Sequence, residues 1–218
     1  MTDSWTQAVR TRLGIGRLLP LGGEADGAWV TERAAAAVLR AAATEVPGVV
    51  AGVMRLALDA PDAAEPPQVP APPSALPVGP LRIEAEVSVL VGEELPVLMG
   101  HLRDALHGAA AQRLGLTVAA VDVRVSALLD EAPDPGAAPR PPRRAEGSGT
   151  VIEAAEAVPG VAYLTAVLGA PVHTAADHVR VEIAVGGGHR ALDVARAVRV
   201  AVGGELPVGV LVTAVDLP

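Results

Sequence analysis

Residues 81–91 read Leu81-Arg82-Ile83-Glu84-Ala85-Glu86-Val87-Ser88-Val89-Leu90-Val91. Leu81, Ile83, Ala85, Val87 and Val89 point one way, while Arg82, Glu84, Glu86 and Ser88 point the other. A period of two with one apolar side is the signature of a half-buried strand. Toward the C-terminus, Pro96 sits where a helix would begin, as proline tolerates at a first helical position. Leu98, Leu102, Ala105, Leu106 and Ala109 then form an apolar stripe, and Gly115 is placed to cap it. Val118 to Leu129 reads as another strand, with Val121, Val123 and Val125 set against Asp122, Arg124 and Ser126. Toward the N-terminus, Val49 to Leu58 reads as a strand with Met54, Leu56 and Leu58 on one side. Before it, residues 28–45 have helix-forming composition, with Val30, Ala34, Ala37, Val38 and Ala41 on one face. Val46-Pro47-Gly48 ends that helix. The order is α-β-β-α-β.

The order recurs. Val46-Pro47-Gly48-Val49 returns as Val158-Pro159-Gly160-Val161, offset by 112 residues. Glu86-Val87-Ser88-Val89 returns as Glu182-Ile183-Ala184-Val185, and Leu98, Leu102 and Leu106 as Val194, Val198 and Val202, both offset by 96. Leu116-Thr117-Val118 returns as Leu206-Pro207-Val208, offset by 90. One slip per loop, with the elements in order, is what a duplication leaves. The expected fold class is α+β: two tandem α-β-β-α-β copies, each a three-stranded sheet with helices on one face. The expected segments are a basic N-terminal stretch (1–25), a first copy (26–130), a Pro/Arg-rich linker (131–147) and a second, shorter copy (148–218). Residues 59–80 form a Pro-rich insertion within the first copy. That insertion and the linker hold 13 of the 20 prolines and are read as extended or disordered. A copy of about 70 residues buries a marginal core alone, so the copies are expected to pack together or the chain to oligomerise.

Composition excludes several activities. The 218 residues contain no cysteine, and all 17 basic residues are arginine. Thiol nucleophiles, zinc ribbons and iron–sulfur clusters are therefore out, as are a Walker lysine and a Schiff base. A net charge of −8 argues against nucleic-acid binding. Aromatic residues are 1% of the chain, so its core must be Ala, Val and Leu. No apolar run reaches the roughly 20 residues that span a bilayer, and no signal peptide is evident. A cytoplasmic location is expected.

No motif carries catalysis, and no catalytic residue, cofactor or metal site is assigned. Gly186-x-Gly188-x-x-Ala191 fits the dinucleotide fingerprint, but the chain left after it allows one more strand rather than a doubly wound sheet, so it reads as a strand-to-helix turn. His101, His107, His173, His178 and His189 include no pair at helical ligand spacing. Glu84, Glu86 and Glu182 lie on the outward side of strands and are expected to be solvated. Arg140, Arg143 and Arg144 form a basic cluster expected to be solvated as well. The N-terminal stretch is the candidate contact with a membrane or partner, through Trp5, Val9, Arg10, Arg12, Leu13 and Arg17. A short basic helix with a Trp lies readily on an anionic surface, although a helix docked on the protein itself fits the same residues.

The first copy resembles the alkaline shock protein family, the envelope stress response proteins of Gram-positive bacteria. The resemblance spans about residues 30–130 and rests on four features. They are Val46-Pro47-Gly48-Val49 after an Ala-rich helix, the strand Ile83 to Val89, the helix from Pro96 to Arg113, and Leu114-Gly115-Leu116-Thr117-Val118 leading into Val121-Asp122-Val123-Arg124-Val125. The opening stretch, from Trp5 through Gly23, also resembles actinobacterial chains that carry a nucleopolyhedrovirus-type family name. The first resemblance implies a non-enzymatic protein peripheral to the inner face of the cell membrane. It would associate with protein partners, one of them membrane-anchored, and with itself. The second copy, the Pro-rich insertion and the absence of lysine depart from the family pattern. A regulatory small-molecule binding module, with its site between the copies, is the alternative.

Overall fold

The computed structural model describes residues 14–92, 94–134 and 140–216. In chain order its elements are β1 (Leu18–Leu21), β2 (Ala28–Thr31), α1 (Glu32–Thr44), β3 (Val49–Leu58), β4 (Leu81–Leu90), α2 (Leu95–Ala109), β5 (Val118–Leu129), α3 (Thr150–Glu156), β6 (Val161–Leu164), β7 (Val172–Thr174), β8 (Val179–Val185), α4 (Ala191–Val202) and β9 (Val208–Val215). The chain is α+β, with four α-helices and two sheets among the described residues.

The first sheet has the order β3-β4-β5. β3 and β4 are antiparallel, and β4 and β5 are parallel, joined by α2. Its inner face is the apolar row read from the sequence. Leu81, Ile83, Ala85, Val87 and Val89 are buried, with Met54 and Leu56 beside them on β3. Leu98, Leu102, Leu106 and Ala109 of α2 are buried too. A five-residue π turn follows α2 and ends at Gly115, whose φ of 91° is left-handed. An added Cβ there would run into Leu192 of α4, so glycine fits both the turn and the close approach of the two halves.

The second sheet differs from the expected three strands. It has six, in the order β1-β2-β9-β8-β6, with β7 also paired to β8. β6 and β7 lie antiparallel to β8 at successive positions along one side of it. β8 and β9 are parallel, joined by α4. β2 adds in parallel to β9, and β1 adds antiparallel to β2. The stretch 28–45 is therefore helix only from Glu32. Its first four residues, Ala28 to Thr31, are a buried strand. Their β-branched and aromatic members, Trp29, Val30 and Thr31, suit a pleated surface. Thr31 then becomes the helix N-cap, its hydroxyl accepting the Ala34 N–H at 3.2 Å. The expected N-terminal segment 1–25 likewise ends inside this sheet, with Leu18, Leu19 and Leu21 buried.

One apolar cluster joins both halves. α1 packs on β3 of the first sheet and on β2 and β9 of the second. Seven of its 13 residues are buried, including Ala35, Val38, Leu39 and Ala42. Each fully buried Leu or Val contributes about 1.5–3 kcal/mol. The buried face is one broad arc that also takes in Ala35, Leu39 and Ala42, so the face expected from Val30, Ala34, Ala37, Val38 and Ala41 captures only part of it, with Ala37 and Ala41 half-buried at its margin.

The outer face of the second sheet is also covered, by the chain itself. Trp29, Leu18 and Leu211 form a second cluster there with Ile15 and Val69. Val69 belongs to the Pro-rich insertion, which was expected to be extended or disordered. It is extended and anchored. Its backbone bonds include Gln68 N–H to Glu24 O, Glu65 N–H to Val78 O, and Leu76 N–H to Leu18 O. The prolines keep it out of regular structure, and single backbone bonds tie it down instead.

Candidate functional site

Three surfaces carry candidate function: the open edge of β5, a cleft between the halves, and an arginine-rich cleft beside residues 140–145.

β5 is a 12-residue edge strand. Among the described residues its only strand partner is β4. None of its residues is fully buried, although Val121, Val123 and Val125 pack on the core. The outward side chains of the first sheet sit in charged rows. Arg55 pairs in register with Glu84, Glu84 with Asp122, and Glu86 with Arg124. Glu84 and Asp122 are thus like charges side by side, a destabilising arrangement. Arg82 offsets it by bridging Asp122 at 2.5 Å and Asp59 at 2.6 Å, and these two carboxylates raise the Arg82 pKa.

The second surface is a half-open cleft of about 600 Å³ lined from both halves. Val38 and Arg113 come from the first half, and Pro159, His189, Arg190 and Asp216 from the second. The turn Gly186 to Ala191 borders it, leading into α4. The Arg190 guanidinium spans the junction, donating from Nε to Ala111 O at 2.9 Å. Arg113 donates from one guanidinium nitrogen to both Glu45 oxygens at 3.0 Å, and its buried Nη1 has no partner among the described residues.

The expected N-terminal contact lies mostly outside the described residues: Trp5, Val9, Arg10, Arg12 and Leu13 are not described. Arg17 is described and is used internally. Its guanidinium pairs with Glu32 at 3.3 Å and donates to Leu56 O at 2.5 Å. Burial pushes the Glu32 pKa up, but Arg17 and the Arg17 and Leu56 backbone N–H groups outweigh it and hold it low. Arg17 is thereby an intramolecular strut linking the start of β1 to α1 and β3.

Glu182 also departs from expectation. It was expected to be solvated and is fully buried. It accepts the N–H of Val167 at 2.6 Å and of Leu168 at 3.1 Å, and Arg180 lies 3.5 Å away. Burial pushes its pKa up, opposed by the Leu168 N–H, Arg180 and the Val167 N–H. Thr165 and Thr213 share a hydroxyl hydrogen bond of 2.8 Å nearby on the same sheet. The outward direction was correct; the covering loop 165–168 was not visible in strand periodicity.

Among the described residues no group of three His, Asp or Glu is arranged to hold a metal ion, and no helix is long and apolar enough to cross a membrane. His178 and Asp177 pair with each other at 2.8 Å on an exposed turn. No family model, curated protein or solved structure matches the chain.

Proposed function

We propose that this chain is a non-enzymatic structural or interaction protein that pairs with other proteins through the β5 edge. It works peripherally at the inner face of the cell membrane, as the resemblance to envelope stress response proteins implies. The observation that carries the pairing is the charge order on β5. In an antiparallel pair of two β5 strands centred on Val123, Asp122 of one copy faces Arg124 of the other, twice. Val121 then faces Val125 in the same way. Each incoming arginine sits beside the like-charged Glu84 and Asp122. Opposite-charge and β-branched cross-strand pairs each contribute about 0.2–1 kcal/mol. A second copy of this chain is therefore the partner proposed for this edge, giving a continuous sheet across the pair.

We also read the two halves as copies of one unit. Val46 N–H bonds to Ala43 O and Val49 N–H to Val46 O, both at 3.2 Å; the counterparts are Val158 to Ala155 at 3.3 Å and Val161 to Val158 at 3.1 Å. Gly48 and Gly160 both take positive φ, and their carbonyls accept Leu90 N–H at 2.9 Å and Gly186 N–H at 2.8 Å. Matching bonds at the offsets of 112 and 96 read from the sequence, with the same pairing senses in both sheets, support a shared origin. The first sheet keeps the open edge, whereas β1 and β2 have occupied the corresponding edge of β9.

Amide exchange on β5, followed at low and high protein concentration, tests the pairing. Protection of residues 120–126 that grows with concentration supports it, and concentration-independent exchange contradicts it. Membrane fractionation at low and high salt tests the location. The truncation for that experiment removes residues 1–13, because deletion through residue 20 would strip most of β1. Pelleting that salt reverses supports the peripheral reading; protein that stays soluble throughout contradicts it.

A second reading rests on the cleft lined by Arg113, His189 and Arg190. A regulatory small molecule bound there would bridge the halves. Ligand-dependent protection of both the α2 end and the Gly186 turn would favour it over pairing.

A further inference from the structure

We propose that the cleft beside residues 140–145 binds a phosphate-bearing anion. The cleft measures about 780 Å³, and its lining includes Arg33, Arg140, Arg143 and Arg144. No Asp or Glu lines it among the described residues. In a chain of net charge −8, four arginines gathered at one concavity, with no carboxylate among its described lining residues, reverse the local sign of charge.

The segment bearing three of these arginines is held in place. Pro141 and Pro142 stiffen it. The Tyr163 hydroxyl donates to Pro142 O at 3.3 Å, and Ala145 N–H donates to Leu164 O at 2.7 Å. Arg144 forms a backbone bridge with Thr165. From the other side, the Arg33 guanidinium donates to Arg140 O. Thr213, buried on β9, also lines the cleft. Among the described residues the one acidic partner of the group, Glu156, meets Arg144 at 3.5 Å on an exposed side chain, which screens little of the charge.

Guanidinium groups carried on a tethered backbone favour polyvalent oxyanions, because each offers a planar fork of donors that matches phosphate oxygens. A ligand that bears phosphate and enters from solvent would satisfy several forks at once and remove their mutual repulsion. Both a lipid headgroup and a free phosphate compound present this chemistry. The site is separate from the β5 edge and does not depend on pairing there.

Calorimetric titration of the full chain with inorganic pyrophosphate tests the proposal, beside pelleting with phosphatidylcholine vesicles made with and without phosphatidylglycerol. Saturable pyrophosphate binding is expected. It should weaken by about tenfold or more when Arg140→Ala and Arg143→Ala are combined. Arg33→Gln should weaken it as well by releasing the Arg140 backbone, while Arg103→Ala, on the exposed surface of α2 and outside the lining, should leave it unchanged. Pelleting only with the anionic vesicles, lost in the same variants and competed by pyrophosphate, identifies the ligand as a headgroup. Pyrophosphate binding without vesicle pelleting identifies it as a free phosphate compound. Absence of saturable binding to either probe, or binding that the combined variant leaves intact, overturns the proposal. Arg124→Glu, a substitution on the β5 edge that does not line this cleft, should abolish pairing and spare anion binding, so the two losses are read separately.

Discussion

The Glu182 carboxylate accepts the backbone N–H of Val167 at 2.6 Å beneath a loop that seals the outer face of the second sheet. The loop 165–168 and the Pro-rich insertion together turn that face into interior. Glu182 is the polar anchor of one part of this cover, and Val69 is the apolar anchor of the other. With β2 paired along β9, the edge of the second sheet that corresponds to the free side of β5 is occupied as well.

Glu182→Gln places an amide N–H₂ against backbone donors where a carboxylate oxygen accepted them. Stability should fall by about 1–3 kcal/mol, because a buried donor is left without an acceptor. The pH dependence should change too. Burial raises the Glu182 pKa above its ordinary 4.5, so the folded chain binds the proton more tightly than the unfolded chain. Stability attributable to this group is therefore greatest below the ordinary glutamate range. It declines as pH rises through the raised pKa. Denaturant unfolding measured across that window should show a shallower decline in the variant. An identical slope would contradict the assignment.

Val69 is 3% exposed and packs with Trp29 and Leu211. Val69→Ala should cost about 1–3 kcal/mol. Val69→Asp should release the insertion altogether. In a Trp5→Phe background, where Trp29 alone reports, its emission should shift to the red and protease should cut within residues 62–78. Unchanged emission and unchanged protease resistance would show that the insertion is not anchored there.

Gly115 joins the two halves by yielding space to Leu192. Gly115→Ala adds a Cβ to a left-handed residue and drives it into that side chain. The combined cost should be about 2–4 kcal/mol, read from the denaturation midpoint. Gly23→Ala, where an added Cβ meets nothing, is the control. Equal effects of the two substitutions would remove Gly115 from the junction.

Much of the first sheet was legible because its strands face one core and one solvent. Arg82, Glu84 and Glu86 lie outward there as the alternation of β4 implies, and β5 runs from Val118 to Leu129 as its valines suggest. The second half was harder to read because its sheet is buried on both faces. Glu182 follows the same alternation as Glu86, yet one is interior and the other is not. Period tells which side a residue takes, and distant chain decides what covers that side. Residues 18–21 and 28–31 were missed for a related reason: strands of four residues carry too few alternations to register, and Ala28 to Thr31 runs straight into a helix-forming stretch. Of the candidate contacts, Arg17 is paired with Glu32, a link not legible in the sequence because the acid lies 15 residues away and the β1–β2 turn brings the two together. The arginines of 140–144 were legible as a cluster, while Arg33 joins them only through the fold.

Sedimentation equilibrium of the full chain, compared with Arg124→Glu and with the exchange Asp122→Arg plus Arg124→Asp, tests the central claim most directly. The wild type should associate into dimers. Arg124→Glu should be monomeric, because it sets like charges opposite each other twice. The exchanged pair should associate again, because each new arginine faces a new aspartate across the two-fold. A wild type that stays monomeric at all concentrations, or an Arg124→Glu chain that associates as strongly as wild type, would contradict pairing through β5.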